Sequence, residues 1–536
     1  RPHEDLLRDG LLENMDFLRF KAMFISHQWV SAHHPDPEGQ QLKVFQAAMV
    51  NLLNGSTEAK PTLWSEILSF VAGWRPHFAM ADISGSNVVV WYDYFSIPQD
   101  THAHSSEQRN AINSIPAYID RCEFFVVLCP PLKHATTHSH LNHHSWAERG
   151  WCRTEIMSRL LSVEKGSVLY IESPEQVTLG SAWLSTFLSP GDGTFTVPGD
   201  REVVGKILRE MVRKKLHSHL IKGDFPSYRF LLNQQQLWLR KCGIPSLPGL
   251  LAGDVGEGSD EVEMFLIQLG LIRVSEYDKA GWTPLCYAAL GGNPQMMEAL
   301  LRKRADPNQA LPKPCPPAFL FKASSALSIC TSSGNNEGIQ ILLRFRANPN
   351  QPDTQGLTPL HQAAVYCDNA EGARLLLEAG ADPCTAEKLG LTPFQFACCC
   401  GATKVVKELL PFASHIGNRE LHGAIFTGNG YPQHLEFLLQ IGCDINGEYE
   451  FRRRVTLGLR LALKVFSVKH CVAPTRLNTF YYYLPYGPTP LMLSILARDY
   501  EVSMFLLKAK ARVDLRCQGH TAFDIAVKLR APDVLL

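Results

Sequence analysis

Gly356-Leu357-Thr358-Pro359-Leu360-His361 opens the stretch that decides the fold of this 536-residue chain. The same pattern continues with the small pair Ala363-Ala364, the pair Leu376-Leu377 and then Ala381-Asp382-Pro383. It starts again 34 residues after Thr358, at Thr392-Pro393. A fixed period of this length predicts a solenoid of small helical units, each of which packs only on its neighbours.

Each element of the pattern has a physical role. Proline after threonine starts a helix at a position where its missing N–H costs nothing. Paired small residues let adjacent helices approach closely, and paired leucines fill the core between units. Further copies, some of them degenerate, begin near these positions: Asp278, Ser325, Leu421, Thr489 and Thr521.

The pattern resembles the ankyrin repeat, which is a turn followed by two short helices. The resemblance predicts about seven repeats over residues 278–536, with inserts near 311–320 and 447–486. It also implies a protein partner that binds the concave face of the solenoid. The longer insert mixes arginines with tyrosines, which suits either single-stranded nucleic acid or a solvated loop or short amphipathic helix.

Bulk properties limit the function further. The formal net charge is zero at pH 7, so nucleic acid is not expected as a partner, and no apolar run is long enough for a membrane span. Fifteen cysteines without paired spacing favour free thiols and a cytoplasmic location. The chain begins at Arg1 instead of methionine, as a fragment of a longer protein would.

The first part of the chain, residues 1–240, has a different pattern. Four short apolar runs have the length of strands, and segments long enough for helices separate them. This alternation predicts an α/β domain with a parallel sheet covered on both faces. The runs are Ala22–Ser26, Asn87–Asp93, Phe124–Cys129 and Ser167–Ile171, and the predicted helices include Leu42–Asn54, Ala111–Cys122 and Arg153–Leu161.

Residues 241–277 join the two parts. The stretch from Pro245 to Asp260 is rich in glycine and proline and is typical of a linker. Apolar residues at helical spacing follow over Glu261–Ile272. Because the end of a solenoid needs covering, we expect this segment to cap the first repeat.

Polar and aromatic residues cluster where the predicted strands end. Three segments carry them, and ligands of parallel sheets bind at this edge. The segments are Ser26-His27-Gln28-Trp29, Trp91-Tyr92-Asp93 with Ile97-Pro98-Gln99, and Arg149-Gly150-Trp151-Cys152-Arg153-Thr154-Glu155.

The segment Ile119–Leu128, which ends in an apolar run, followed by Trp151-Cys152 and Glu155, resembles the Toll/interleukin receptor (TIR) domain. The three segments look still more like the fungal heterokaryon-incompatibility (HET) domain. The resemblance implies a flavodoxin-like fold, self-association into a homo-oligomer, and cleavage of NAD between nicotinamide and ribose in the active members. It implies Glu155 as the catalytic carboxylate. The implied substrate-binding residues are Ser26, Trp29, Asp93, Gln99 and Trp151. NAD would be a substrate, and no cofactor is expected.

Other interpretations of the same residues stay open at this point. Glu155 is expected in the first turn of a helix, where the helix dipole favours a carboxylate without any catalytic role. Trp29 and Trp151 suit core packing as well as ligand stacking. A non-catalytic adaptor that acts by self-association and protein binding is therefore the alternative function.

One histidine-rich segment could be over-interpreted as a metal site. Five histidines lie between His134 and His144, and with Cys129 or Cys152 they could assemble a zinc site. No Cys-x-x-Cys pair accompanies them. A flexible polar loop is the favoured interpretation, and no metal is expected.

Overall fold

The computed structural model describes residues 3–12, 19–32, 34–61, 87–99, 101–162, 168–180, 189–251, 260–315, 320–428, 430–449, 470, 476–529 and 531. These residues form two compact units, and the chain passes from the first to the second between Leu250 and Leu251. Most of the longer insert, 447–486, and the middle of the predicted linker, 241–277, lie outside the described residues.

The described part of the first unit contains eight strands: β1 Lys21–His27, β2 Lys60–Pro61, β3 Val88–Tyr92, β4 Phe124–Leu128, β5 Leu132–Lys133, β6 His140–Leu141, β7 Val168–Ile171 and β8 Val177–Gly180. Six of them form one sheet in the order β2-β8-β7-β4-β1-β3. Strands β3, β1, β4 and β7 are parallel, and β8 is antiparallel to β7.

The four predicted strands are all present and form the parallel part of the sheet. The predicted parallel pairing is present among these four strands, and β8 adds an antiparallel strand beside β7. The histidine-rich segment is not simply a flexible loop, since β5 and β6 pair as an antiparallel hairpin within it. These additional strands are two to four residues long, too short for an apolar pattern to reveal.

Helices cover both faces of this sheet. Met23 and Ile25 of β1 pack on the helix Gln40–Leu53, whereas Ala22 and Phe24 face the opposite core. The described helices of the first unit are His3–Arg8, Gln40–Leu53, Asp93–Ser96, Thr101–Asn113, Ile115–Arg121, His143–Glu148, Gly150–Leu161, Asp200–Ile221 and Phe225–Trp238, with a short 3-10 helix at Pro190–Asp192.

Two of the predicted helices differ from the observed ones. The segment predicted as one helix over Ala111–Cys122 belongs to two helices that are separated at Ser114. The helix predicted from Arg153 begins at Gly150, so Glu155 lies in the second turn and not in the first. The helix-dipole explanation for Glu155 is therefore wrong, because the dipole acts mainly on the first turn.

A close contact fixes the start of the helix Gly150–Leu161. The amide of Gly150 donates to the carbonyl of Thr194 at 2.9 Å, and the amide of Thr194 donates to the carbonyl of Glu148 at 2.8 Å. A Cβ atom on Gly150 would lie 2.0 Å from the ring of Phe195. A larger residue at position 150 would require the Phe195 ring to move, so glycine allows the close contact at the start of this helix.

The second unit consists of paired short helices. They are Pro284–Leu290 with Pro294–Arg302, Ala326–Ser333 with Asn336–Arg344, Pro359–Gln362 with Ala370–Glu378, Pro393–Cys400 with Thr403–Leu409, Arg419–Thr427 with Pro432–Gln440, and Pro490–Ala497 with Tyr500–Lys508; Ala522–Lys528 begins a seventh unit. Short 3-10 helices lie at Leu410–Phe412 and Leu484–Tyr486.

The repeat pattern explains how each unit begins and packs. Thr283, Thr392 and Thr489 accept backbone hydrogen bonds at the starts of their helices. The small residues at the predicted contacts are buried, with exposed fractions of 0% for Ala363 and 3% for Ala364. His361 bonds Thr358 through Nδ1 and the carbonyl of Leu391 through Nε2, so one side chain joins two repeats.

The inserts do not interrupt the stacking. An asparagine side chain accepts the backbone amide of the following unit at 2.7 Å in three places: Asn308 from Asn348, Asn350 from Asp382, and Asn446 from Arg512. The last contact joins residues on either side of the long insert. The helices Arg419–Thr427 and Pro490–Ala497, on the two sides of this insert, pack against each other as neighbours in the stack.

The returning end of this insert belongs to the core of the second unit. The helix Arg476–Tyr483 places the ring of Phe480, which is fully buried, on Phe426 at 5.3 Å between centroids. The helix Glu261–Leu269 packs on Pro294–Arg302 of the first repeat, as expected for a cap, although it ends before the predicted Ile272. Within the described residues, no helix has both the length and the apolar character needed to cross a membrane.

Candidate functional site

Glu155 is held by a chain of two hydrogen bonds. Its Oε2 accepts the hydroxyl of Ser26 at 2.5 Å, and the Oγ of Ser26 accepts the indole N–H of Trp146 at 3.0 Å. Ser26 lies near the carboxyl end of β1, and Trp146 lies in the helix His143–Glu148. Both are buried, which fixes the carboxylate with little freedom to move.

The environment of Glu155 favours the neutral acid. The pKa of this carboxyl is raised to about 8, mainly by burial and also by the nearby charge of Asp93, while the Ser26 hydrogen bond and the charge of His27 oppose the rise. Glu155 is nevertheless partly exposed as a residue. The structure thus combines a partly exposed residue with a carboxyl pKa close to neutrality, which is typical of functional sites.

A second group lies at the ends of β1 and β3. Nε2 of His27 lies 2.8 Å from Oδ1 of Asp93, and the indole N–H of Trp29 donates to Oδ2 of Asp93 at 3.1 Å. The hydroxyl of Tyr92 lies 3.2 Å from Nδ1 of His27. Asp93 thus holds an imidazole and an indole at the same edge of the sheet.

His27 and Asp93 form an ion pair. Burial alone would lower the pKa of His27, but the charge and hydrogen bond of Asp93 outweigh it, so the pKa is raised. Burial alone would raise the pKa of Asp93, but the charge of His27 and bonds from His27, Trp29 and the Tyr94 amide hold it below its usual value. Both shifts favour the charged forms.

The structure brings four of the six predicted residues to this edge. Ser26 contacts Glu155, Trp29 contacts Asp93, and Asp93 and His27 both act electrostatically on Glu155. The loops after parallel strands meet at the carboxyl edge of a sheet, so this proximity follows from the order β3-β1-β4.

The contacts of Gln99 and Trp151 lie elsewhere. The indole N–H of Trp151 donates to Asp200 at 2.9 Å, and the ring packs against an apolar core beneath the sheet. The Gln99 amide nitrogen of the backbone donates to Glu4 at 2.6 Å, and its side chain donates to the carbonyl of Ile97 at 2.7 Å. For Trp151 this arrangement favours the packing role.

Sequence reasoning missed His27 and Trp146. His27 stands inside the segment that was selected, but only its distant partner Asp93 shows its importance. Trp146 donates to a residue 120 positions away, and no local pattern marks it.

The histidine-rich hairpin does not join this site as a metal centre. Among the described residues, no cluster of three His, Cys, Asp or Glu side chains could hold a metal ion. Nδ1 of His134 instead accepts the amides of Thr136 and Thr137 within its own turn. Burial lowers the pKa of His143 to about 4.

Comparison with known proteins identifies the second unit. Residues 280–310 match the ankyrin repeat model, and residues 315–387 match the model for three copies of the ankyrin repeat. The crystal structure of the human ASB11 ankyrin repeat domain shares 20% identity with this chain, covering 46% of this chain and 91% of that one at a TM-score of 0.33. No curated protein matches the chain. The second unit therefore carries ankyrin repeats, which imply protein binding.

Proposed function

We propose that the first unit is a TIR/HET-like domain of flavodoxin-like fold that cleaves NAD, and that the ankyrin repeats recruit its protein partner in the cytoplasm. The order of the parallel strands supports this fold. Numbered along the chain, β3-β1-β4-β7 corresponds to the order 2-1-3-4, and flavodoxin-like sheets bind ligands where that order reverses. Ser26 lies at this point, near the end of β1.

The observation that carries the proposal is the Trp146-Ser26-Glu155 chain at the edge of the sheet. The Ser26 hydroxyl donates to Oε2 of Glu155 and holds the carboxyl at the point where the strand order reverses. A fixed carboxylate beside an accessible edge can stabilise positive charge that develops on a sugar ring.

The reaction follows from this placement. The bond between ribose C1′ and the nicotinamide nitrogen breaks, and its electron pair stays on nicotinamide, which leaves as a neutral ring. The ribose becomes an oxocarbenium-like cation that ionised Glu155 stabilises. Water then adds to C1′ and releases a proton, so NAD and water give ADP-ribose, nicotinamide and H⁺.

Ionisation of Glu155 would be coupled to binding. A carboxyl with a pKa of about 8 is mostly protonated at neutral pH. The nicotinamide ring of NAD is cationic, and a nearby cation favours the charged form of a carboxyl. We expect the carboxylate to form when the substrate is in place.

The repeats limit where the partner can bind. Every residue is buried in the first helices of the first three repeats, Pro284–Leu290, Ala326–Ser333 and Pro359–Gln362. Apolar side chains that a partner could contact are exposed instead in turns such as Glu387–Gly390, where Leu389 is 65% exposed. We propose that such turns contribute to a partner-binding concave face.

Nicotinamide release tests the proposal. The full chain is incubated with NAD, and nicotinamide is measured by chromatography for wild type and Glu155→Gln. Glutamine keeps the shape and can still accept the Ser26 hydroxyl, so the loss should be about 10²- to 10³-fold in kcat with an unchanged fold. No release from concentrated wild-type protein would instead favour the adaptor, and equal rates would remove Glu155 from the mechanism.

A further inference from the structure

Three partly exposed rings form an aromatic corner beside Asp93. The ring of Tyr94 stands perpendicular to that of Trp29, with 6.3 Å between centroids and an interplanar angle of 89°. The ring of His34 also contacts that of Tyr94, with 4.7 Å between centroids. All three residues are partly exposed, so they are accessible at the same edge of the sheet as Glu155.

Asp93 fixes the geometry of this aromatic corner. Its Oδ2 accepts the indole N–H of Trp29, and its Oδ1 accepts the backbone amide of Tyr94 at 2.6 Å. The imidazole of His27 contacts the same Asp93 carboxylate through Nε2, and its Nδ1 lies within hydrogen-bond distance of the Tyr92 hydroxyl. Both oxygens of the Asp93 carboxylate therefore accept hydrogen bonds from protein groups. We infer that this carboxylate orients the rings of Trp29 and Tyr94.

Above the Glu155 pKa of about 8, negative charge exceeds positive charge at this edge. Asp93 and Glu155 are two carboxyl groups in electrostatic contact, and His27 is the cation that acts on both. The side chain of Asp93 is 31% exposed, whereas that of His27 is 2% exposed. A ligand at the aromatic corner would therefore meet the carboxylate more directly than the imidazolium.

We propose that the aromatic corner of Trp29 and Tyr94 is a subsite for a planar cationic ring, such as a pyridinium, and that the His27–Asp93 pair positions it. The indole face attracts a cation through its quadrupole, and the adjacent carboxylates reinforce the attraction. A neutral ring of equal size gains the stacking contact alone. The identification of this ring with the nicotinamide end of NAD rests on the proposed function.

The strength of cation–π contacts sets the expected preference. A cationic ring should bind about 2- to 30-fold more tightly than its neutral counterpart. The suitable pair is 1-methylnicotinamide, which is cationic, and nicotinamide, which is neutral. Neither contains a bond that the enzyme could cleave, so binding is measured independently of catalysis.

The test uses fluorine NMR of the full chain labelled with 5-fluorotryptophan. Trp29→Phe and Trp151→Phe assign the two relevant signals among nine tryptophans. At about pH 8.5, 1-methylnicotinamide should shift the Trp29 signal at lower concentration than nicotinamide does. The Trp151 signal should stay unchanged, since that indole is bonded to Asp200.

Variants separate the charge from the ring. Asp93→Asn keeps an acceptor for the Trp29 indole but removes the charge, so the cationic preference should fall while nicotinamide still binds. Trp29→Leu should abolish the binding of both ligands, which is measured by isothermal titration calorimetry because this variant lacks the reporting indole. Trp151→Phe is the matched control with unchanged binding. Thermal unfolding confirms that each variant is folded.

Several outcomes would overturn the inference. Equal affinity for both rings, or binding that persists unchanged in Trp29→Leu, would show that the aromatic corner is not a cation subsite. The same holds if adenosine shifts the Trp29 signal and 1-methylnicotinamide does not. If the cationic ring binds but NAD releases no nicotinamide, the subsite stands and the proposed NAD cleavage fails.

Discussion

The protonation of Glu155 leads to a prediction that requires no ligand. Burial is the main cause that raises the pKa of this carboxyl from its usual 4.5 to about 8 in the folded protein. Between about pH 4.5 and 8, Glu155 is ionised in the unfolded chain but still protonated in the folded protein. The contribution of Glu155 to stability is therefore complete below about pH 4.5 and falls as the pH rises, until it is lost above about 8.

The structure also sets the size of this effect. At about 1.36 kcal/mol per pH unit, a rise from 4.5 to about 8 corresponds to roughly 5 kcal/mol. Glu155 is partly exposed, so water screens part of this penalty. We expect roughly 2 to 3 kcal/mol of pH-dependent destabilisation relative to a side chain that does not titrate.

Glu155→Gln provides that reference. Urea unfolding of wild type and variant is followed by tryptophan fluorescence from about pH 5 to pH 9. This signal reports chiefly on the first unit, because Trp282 is the one described tryptophan of the second. The variant should gain stability over wild type as the pH rises, and the gain should level off above about 8.

Ser26→Ala is the companion variant. The Ser26 hydroxyl donates to the carboxyl and lowers its pKa, so its removal should steepen the loss of stability at high pH. A difference between wild type and Glu155→Gln that stays constant from about pH 5 to 9 would refute the reasoning. It would mean that Glu155 titrates in the folded protein as it does in the unfolded chain.

Three further predictions concern activity and packing. Initial rates should give a kcat/KM for NAD that increases with pH up to about 8, where the Glu155 carboxyl of the free protein ionises, and a flat profile would contradict this. Arg159→Met should lower the free energy of unfolding in urea by about 2 to 4 kcal/mol, because the buried guanidinium donates at 2.7 Å to the carbonyls of Cys122 and Glu123. Equal stability of wild type and variant would show that water can replace the guanidinium at these carbonyls. Ala364→Leu should cost about 1 to 3 kcal/mol by overpacking, with an unmoved denaturation midpoint as the contrary result.

Three of the four predicted strands, β1, β4 and β7, were predictable because burial at nearly every position leaves a continuous apolar run, whereas β3 is apolar but only partly buried. Phe124–Leu128 is buried at every position, and the sequence shows five apolar residues there. The position where an apolar run ends also indicates where the strand ends. Ser26 and Asp93 could therefore be identified as residues at the edge of the sheet. The strand Val177–Gly180 alternates in burial and was missed.

Contacts between distant residues explain what the sequence did not reveal. The helix that carries Glu155 begins at Gly150 because of its contact with Thr194, whereas the local pattern favoured a start at Arg153. His27 and Asp93 are 66 residues apart. Neither contact leaves a periodic signal, since each occurs once in the chain.

The repeats show the opposite case, because there the same contact recurs. An asparagine joins its backbone partner across 40, 32 and 66 residues in three different repeats, at the same distance each time. The widest separation spans the long insert, so the length of the intervening chain does not alter the stacking. A local pattern is enough when each unit contacts only its neighbours. That is why the solenoid could be predicted through its interruptions, while the site in the first unit required coordinates.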